Sequence, residues 1–264
     1  MPKLSTQENY IRSQKRTRRI ITLARLALFL AFLGLWEFAA DTGMIDSFIF
    51  SSPSRIAETF VSMWKKEALG LQIGVTLLET LASFFLVTGL SLASAVLLWL
   101  CPRLSQVLEP YLVVLNSLPK SALAPLLIVW LGANMRTIIV AGMSVAIFGS
   151  VVSLYTGFQE ISPDKLKLIY TLGGTRRHAL LKVILPASIP YLLSNMKVNI
   201  GLCLVGVIIG EFIGARQGLG YLIIYGSQVF KLHMVMMSIV ILCVIAMALY
   251  QAINLLEKYY LKKL

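Results

Sequence analysis

The chain has 264 residues, 58% hydrophobic and 14% charged, and its 24 Lys and Arg against 12 Asp and Glu give a formal charge of +12. A soluble domain carries about 25% charged residues, so this composition, with a mean hydropathy of +0.80, excludes an ordinary solvated globule. The basic residues gather at the ends of apolar blocks, with no interleaved stacking platform, which argues against nucleic acid and marks orientation signals at a membrane surface.

Apolar blocks of 18 or more residues read as bilayer spans, and six are predicted in chain order. The first covers about 20–40, preceded by Lys15, Arg16, Arg18 and Arg19, which keep the N-terminus cytoplasmic. It runs on to Trp36-Glu37 with no A-x-A site after it, so it reads as a span rather than a removed signal. The segment 41–70 lies outside. Within it Ser52-Pro53 starts a short helix whose Ile56, Phe60, Met63 and Trp64 share one face, as in a helix lying in the interface.

The second span covers about 71–100 and ends at Cys101-Pro102. The third covers 111–131 as one helix kinked at Pro119 and Pro125. After the turn at Gly132-Ala133-Asn134 come the fourth span, 137–158, the polar loop 159–186, the fifth span, 189–213, and the sixth, 233–256. Six crossings put both termini and the loop on one side. Lys165, Lys167, Arg176, Arg177 and Lys182 then join the terminal clusters, including Lys258, Lys262 and Lys263, as positive cytoplasmic charge. The expected organisation is a basic cytoplasmic N-terminus over 1–19, a six-helix membrane domain over 20–258 and a cytoplasmic tail over 259–264. Small residues at helical spacing, Gly142, Ala146 and Ser150 and again Gly206, Gly210 and Gly214, form faces on which helices approach closely.

The loop has helical grammar of its own. Ser162 is a cap, Pro163 fits the first helical position, and Asp164 lies beside the positive helix end. Leu166, Ile169 and Tyr170 make an apolar strip, and Gly173-Gly174 is a stop. Thr175 caps a second helix that carries Arg176, Arg177 and Lys182 and is expected to end before Pro186. Such an amphipathic hairpin lies on headgroups or docks into a soluble partner.

Ionisable residues within or near spans are Glu79, Lys120, Lys197 and Glu211. A charge at that depth is costly and faces an interior or a cavity. Lys120, with Asn116 one turn earlier, is a candidate for meeting an anion in a pathway; pairing with Glu79, or snorkelling, is the alternative. Lys197 is close enough to the cytoplasmic end to snorkel. Glu211, near the outer end, is a further candidate for the translocation pathway with Asn116 and Lys120: it orients the gate-like Gly214–Gly220 segment, or bridges Arg216. Cys101, Cys203 and Cys243 are far apart, and neither His178 nor His233 has partners at metal spacing, so no metal or cofactor site is expected on the chain.

The spacing from Gly173 to Ile184-Leu185-Pro186 resembles the G-x(10)-I-L-P part of the EAA loop of bacterial ABC importer permeases. The run from Leu118 to Leu127 with Trp130-Leu131-Gly132, then Pro186-Ala187-Ser188-Ile189-Pro190, and Gly210-Glu211 with Gly218-Leu219-Gly220, are similar to the branch serving sulfonates, taurine, nitrate and pyrimidine precursors. Trp36-Glu37 and Ser52-Pro53-Ser54 fit the same branch. Lys167-Leu168-Ile169 stands where the family has Glu-Ala-Ala. The resemblance implies an all-α membrane protein with a six-helix, type I-like permease bundle and a cytoplasmic coupling-helix loop, resident in the bacterial inner membrane. It implies a homodimer with a second permease copy, two ATP-binding cassette ATPase subunits that hold ATP-Mg, and an extracytoplasmic solute-binding protein. It places Asp164, Leu166, Lys167, Ile169, Tyr170, Gly173, Gly174, Arg176, Ile184 and Pro186 on the ATPase-docking loop. The chain itself has no G-x-x-x-x-G-K-[ST] and so no P-loop. An ion-coupled secondary carrier would show paired acidic residues at the midplane and repeated halves; a scaffold would have no pathway at all. Substrate identity is not written in the residues.

Overall fold

The computed structural model describes residues 6–66 and 68–262; Lys263, named above, lies outside them, as do the side chains of Lys15 and Arg18. Among these residues every regular element is helical. α1 (Thr6–Asp41) carries the first span and α2 (Ser47–Phe50) is a single turn capped by the Asp46 side chain. α3 (Pro53–Lys66) follows, then α4 (Leu69–Leu100), α5 (Pro102–Ser117), α6 (Lys120–Leu131) and α7 (Met135–Gln159). α8 (Pro163–Thr171) and α9 (Arg176–Ala179) form the polar loop. A π turn (Leu180–Ile184) joins α9 to α10 (Leu185–Gly214), and α11 (Leu219–Gln228) and α12 (Leu232–Leu261) complete the chain. Five helices are long and apolar enough to cross a membrane, and the bent pair α5–α6 makes a sixth as one broken span.

α3 begins at Pro53, and its start is fixed by a carboxylate from the preceding span. Ser54 N–H donates to Glu37 Oε2 at 3.0 Å and the Ser52 hydroxyl to Oε1 at 3.2 Å, a negative charge on a positive helix end. His233 at the start of α12 bonds the Ser51 hydroxyl at 2.9 Å, so α1, α3 and α12 are pinned together. The face expected on α3 divides in two: Ile56 and Met63 are buried against α12, whereas Phe60 and Trp64 stack on each other and stay exposed.

The core is the packing of α4, α7 and α10. A Cβ at Gly206 of α10 would meet Gly142 Cα of α7 at 2.8 Å, and one at Gly142 would meet Val207 Cγ2 at 2.8 Å. The two small-residue runs thus face each other, which is the close approach that such faces permit where lipid supplies no hydrophobic drive. Polar bonds lock the contact deeper along the helices. The Ser150 hydroxyl meets that of Ser91 at 2.8 Å and Asn195 Oδ1 at 2.9 Å, and Asn199 Nδ2 donates to Ser150 Oγ at 2.8 Å.

Two expectations are corrected here, and one element is added. The third span is not one kinked helix: α5 and α6 meet at 95°. Leu118, restricted by the proline after it, is extended with ψ 141°, and Pro119 cannot continue α5; Pro125, by contrast, sits inside α6. The second loop helix does not end before Pro186. The chain stays helical from Arg176 to Gly214, 39 residues, because the π turn carries the Leu185 N–H to Leu180 and opens the helix where the proline ring arrives. Between the fifth and sixth spans, where no element is predicted, lies the ten-residue helix α11.

If the α7–α10 approach sets the fold, Gly206→Val destabilises the protein by about 1–3 kcal/mol through overpacking. Gly201, on the same helix with nothing near its would-be Cβ, tolerates Val within about 1 kcal/mol. Thermal unfolding followed by the reactivity of the buried thiol of Cys203 separates the two; equal midpoints would remove the close approach from its role.

Candidate functional site

At one end of the bundle, the loop folds into a hairpin against the ends of α4 and α7. Leu166 and Ile169 pack on a cluster that includes Trp99, Leu154, Phe158 and the fully buried Ile184. Leu168, Tyr170 and Leu172 point the other way and are exposed. The expected strip is therefore split, with Leu166 and Ile169 holding α8 in place and Tyr170 on the outward side. α8 ends in a Schellman motif: Gly174 N–H donates to Ile169 O at 2.8 Å and Gly173 N–H to Tyr170 O at 3.0 Å. Gly173 has φ +76°, and a Cβ at Gly174 would press on Ile169 O at 2.7 Å, so both glycines are required by geometry.

Ser162 stands at the cap position without a side-chain bond, while Thr175 caps α9 in a capping box whose second arm is His178: Thr175 N–H donates to its Nδ1 at 3.1 Å. Arg176 fixes the hairpin to α4, donating from Nη2 to Trp99 O at 2.6 Å with its guanidinium 5.0 Å from the Trp99 ring. Lys167, in the place of the family's Glu, forms an exposed pair with Asp164 at 3.4 Å, which contributes little. Pro186 lies just beyond the π turn.

At the opposite end, Glu211 ties α10 and α4 to the chain that enters α11. Its carboxyl accepts from the Thr76 hydroxyl at 2.7 Å and from Gly220 N–H at 2.5 Å. Thr76 Oγ1 in turn accepts from Leu219 N–H at 2.8 Å, and Gln72 Oε1 accepts from Gly218 N–H at 2.6 Å. Gly218 has φ +109°, and a Cβ there would overlap the Glu211 carboxyl; at Gly220 it would lie 2.8 Å from Glu211 Cβ. The Gly-Leu-Gly run is cut to fit this side chain. The bridge from Glu211 to Arg216 does not form. The carboxyl touches that of Glu79 instead, and both glutamates are 1% exposed. Sequence reasoning singled out Glu79 and Glu211 separately and missed Gln72 and Thr76. The signal was present, since Gln72, Thr76 and Glu79 fall on one polar stripe of α4 that Ser83 continues.

Lys120 does not pair with Glu79. It is the first residue of α6, and its ammonium bonds Asn116 O in the last turn of α5, with Asn116 Oδ1 at 3.5 Å. It thus covers carbonyls freed by the break, at the helix end that favours a cation. Asn116 and Lys120 are brought together as the sequence suggested, but at a corner rather than along a span. Lys197 does not snorkel: it forms an ion pair with Glu257 of α12, both largely buried.

The chain matches the family described as "Binding-protein-dependent transport system inner membrane component" over residues 85–262. It is 31% identical over 236 residues to a probable ABC transporter permease protein of Haemophilus influenzae, covering 89% of this chain and 96% of that one. It is 24% identical over 257 residues to the putative aliphatic sulfonates transport permease protein SsuC of Bacillus subtilis, covering 97% and 93%. The inward-facing MetNI methionine ABC transporter has the same fold, with a TM-score of 0.65 at 20% identity over 72% of this chain and 95% of that one.

Glu211→Ala removes an acceptor of Gly220 N–H and the partner that orients Thr76 toward Leu219. Amide hydrogen exchange over 218–220 then accelerates by about tenfold or more, the loss of roughly 1.4 kcal/mol of local protection. Exchange at α8, at the other end of the bundle, stays unchanged. An unaltered rate over 218–220 would show that the segment is held by other contacts.

Proposed function

The chain belongs to the binding-protein-dependent transport system inner membrane component family and is the permease subunit of an ABC importer, and from that premise we propose how it is driven and what it carries. α8 and the turn at Gly173 dock on a cytoplasmic ATP-binding cassette ATPase. Two such subunits hold ATP-Mg, two copies of this chain form the pathway, and an extracytoplasmic solute-binding protein delivers cargo at the α11 end. The observation that carries the reading is the outward apolar triad of Leu168, Tyr170 and Leu172 on a hairpin whose inner face is fully engaged. An exposed apolar patch rimmed by Lys165, Lys167 and Arg177 is what a helix-in-groove contact uses. Both termini lie with the hairpin on the cytoplasmic side, in keeping with the charge distribution.

The cargo in this reading is a small organic anion or heterocycle. The sulfonate permease relative supports it, as does the run from Leu118 to Gly132, which holds the broken span and Lys120. ATP-driven closure of the ATPases shifts the hairpin, and rigid tilting of α4 and α10 opens the pathway to each side in turn. Glu79 and Glu211 do form an acidic pair, as a secondary carrier would require, but the pair sits against the α11 segment at one end of the bundle, and the family relationship favours the importer.

Gly173 has φ +76°, which proline cannot adopt. Gly173→Pro therefore leaves the protein inserted and dimeric but uncouples ATP hydrolysis from uptake in proteoliposomes, with transport falling by about tenfold or more for this change of backbone. Leu172→Glu weakens ATPase association in co-purification by placing a charge in the docked patch. Coupled uptake at the parental rate in the first variant, or undiminished association in the second, would overturn the docking role.

A further inference from the structure

The hydrogen-bond donors at the α11 end are shared unequally between its two glutamates. Glu211 accepts from the Thr76 hydroxyl and from Gly220 N–H, and Tyr221 N–H faces the same carboxyl. Gly220 and Tyr221 lie in the first turn of α11, so this carboxyl sits at the positive end of a ten-residue helix. Glu79 receives none of these donors. Its side chain is 1% exposed, and its Oε2 has no hydrogen-bond partner among the described residues. The polar group it meets is the Glu211 carboxyl.

Two charged carboxyls in contact and out of water repel each other, and a buried carboxylate needs a donor or a counter-charge. The ion pairs among the described residues, Lys167–Asp164 and Lys197–Glu257, include neither glutamate. The elements around the pair bring little charge. α7 presents Met135 and Ile138, the chain after α10 presents the exposed Arg216, and α11 presents Tyr221. A single proton removes the conflict, and its position matters. On Glu79 it makes an acid whose O–H donates to Glu211 and whose Oε2 is a neutral carbonyl oxygen, far cheaper to bury than a charge. On Glu211 it would set a hydroxyl among groups that are themselves donors and leave Glu79 a buried charge with nothing to offset it.

We propose that Glu79 is a proton-bearing latch for the outer segment: it is the neutral acid of the pair, and its hydroxyl donates to the Glu211 carboxylate that holds Gly218–Gly220 against α4. The shut clamp therefore carries one proton. Release of that proton to solvent leaves two carboxylates in contact, and the segment comes away from α4. The stability of the shut clamp accordingly falls as pH rises. The latch goes beyond the transport reading, and it is tested without turnover, so failure of either leaves the other standing.

The test uses the assembled transporter in dodecyl maltoside, a detergent without a carbonyl group. Infrared difference spectroscopy of the parent against Glu79→Gln at neutral pH reads the proton. The parent shows the carbonyl-stretch band of a protonated carboxyl, shifted by deuteration, and the variant lacks it; absence of that band from the parent overturns the proposal. Amide exchange over 218–220 reads the clamp. The side-chain amide of Glu79→Gln still donates to Glu211, so protection stays within about twofold of the parent, whereas Glu211→Gln sets an NH2 against the donors and loses about tenfold or more. Raised pH lowers protection in the parent, after correction for the intrinsic exchange rate, and leaves Glu79→Gln unchanged. Equal losses in the two variants, or a pH response that survives Glu79→Gln, overturn the assignment. Should Glu79→Gln fail to assemble, the parent alone decides: between neutral and alkaline pH the band and the protection over 218–220 disappear together, and protection that outlasts the band overturns the latch.

Discussion

The contact on which the structure depends is the backbone approach of α7 to α10 at Gly142 and Gly206. In a bilayer, leucine on leucine gives little net drive, because lipid tails serve as well. What helices gain by association is close packing and the bonds it permits. Once Gly142 and Gly206 meet, Ser83 of α4 comes within reach of Ile139 O at 3.0 Å, and Ser150 can gather Ser91, Asn195 and Asn199. Side chains that would be a cost alone become the specifying bonds of a three-helix core.

That core also explains why the two ends of the molecule are held differently. The hairpin end relies on apolar packing, with Leu166 and Ile169 against Ile184 and Trp99, and its glycines satisfy the end of α8 through its own backbone. The α11 end relies on side chains to satisfy backbone donors: Gln72, Thr76 and Glu211 take the N–H groups of Gly218, Leu219 and Gly220. These are the first N–H groups of α11, which have no partner inside the helix. A short helix started by side chains from two longer ones moves only when those helices move relative to each other.

Much of this was legible in the residues. The spans, the hairpin with its Gly173-Gly174 stop and Thr175 cap, and the small-residue faces all follow from local chemistry, in which pattern and structure agree. The failures share a cause. Pro119 and Pro186 carry the same local warning, yet one breaks a span at 95° and the other is absorbed by a π turn inside a 39-residue helix. What separates them is contact rather than the proline itself: Lys120 covers the carbonyls of α5 at one break, and neighbours from α4 and α7 pack around Ile184 at the other. The alternatives fail for a related reason: Glu79 as partner of Lys120, Arg216 as partner of Glu211 and the snorkelling of Lys197 each depended on which groups become neighbours in space. Glu257, the partner of Lys197, is 60 residues away.

Continuity of α10 then gives the two ends a mechanical relation. From Arg176 to Gly214 the chain is one helical element, about 58 Å long at 1.5 Å per residue. Arg176 holds its beginning to the C-terminal end of α4, and Glu211, near its last turn, meets Thr76 in the N-terminal third of the same α4. A tilt imposed at the hairpin therefore reaches the α11 segment through two helices cross-tied at both ends, not through a series of loops. The π turn, Leu180–Ile184, sits between α9 and α10, close to the point where the load enters, and its i→i−5 bonding departs from the regular helix there. In the proposed docking, compliance near the hairpin and stiffness beyond it would let α8 follow its ATPase while delivering one direction of motion to Gly218 and Gly220.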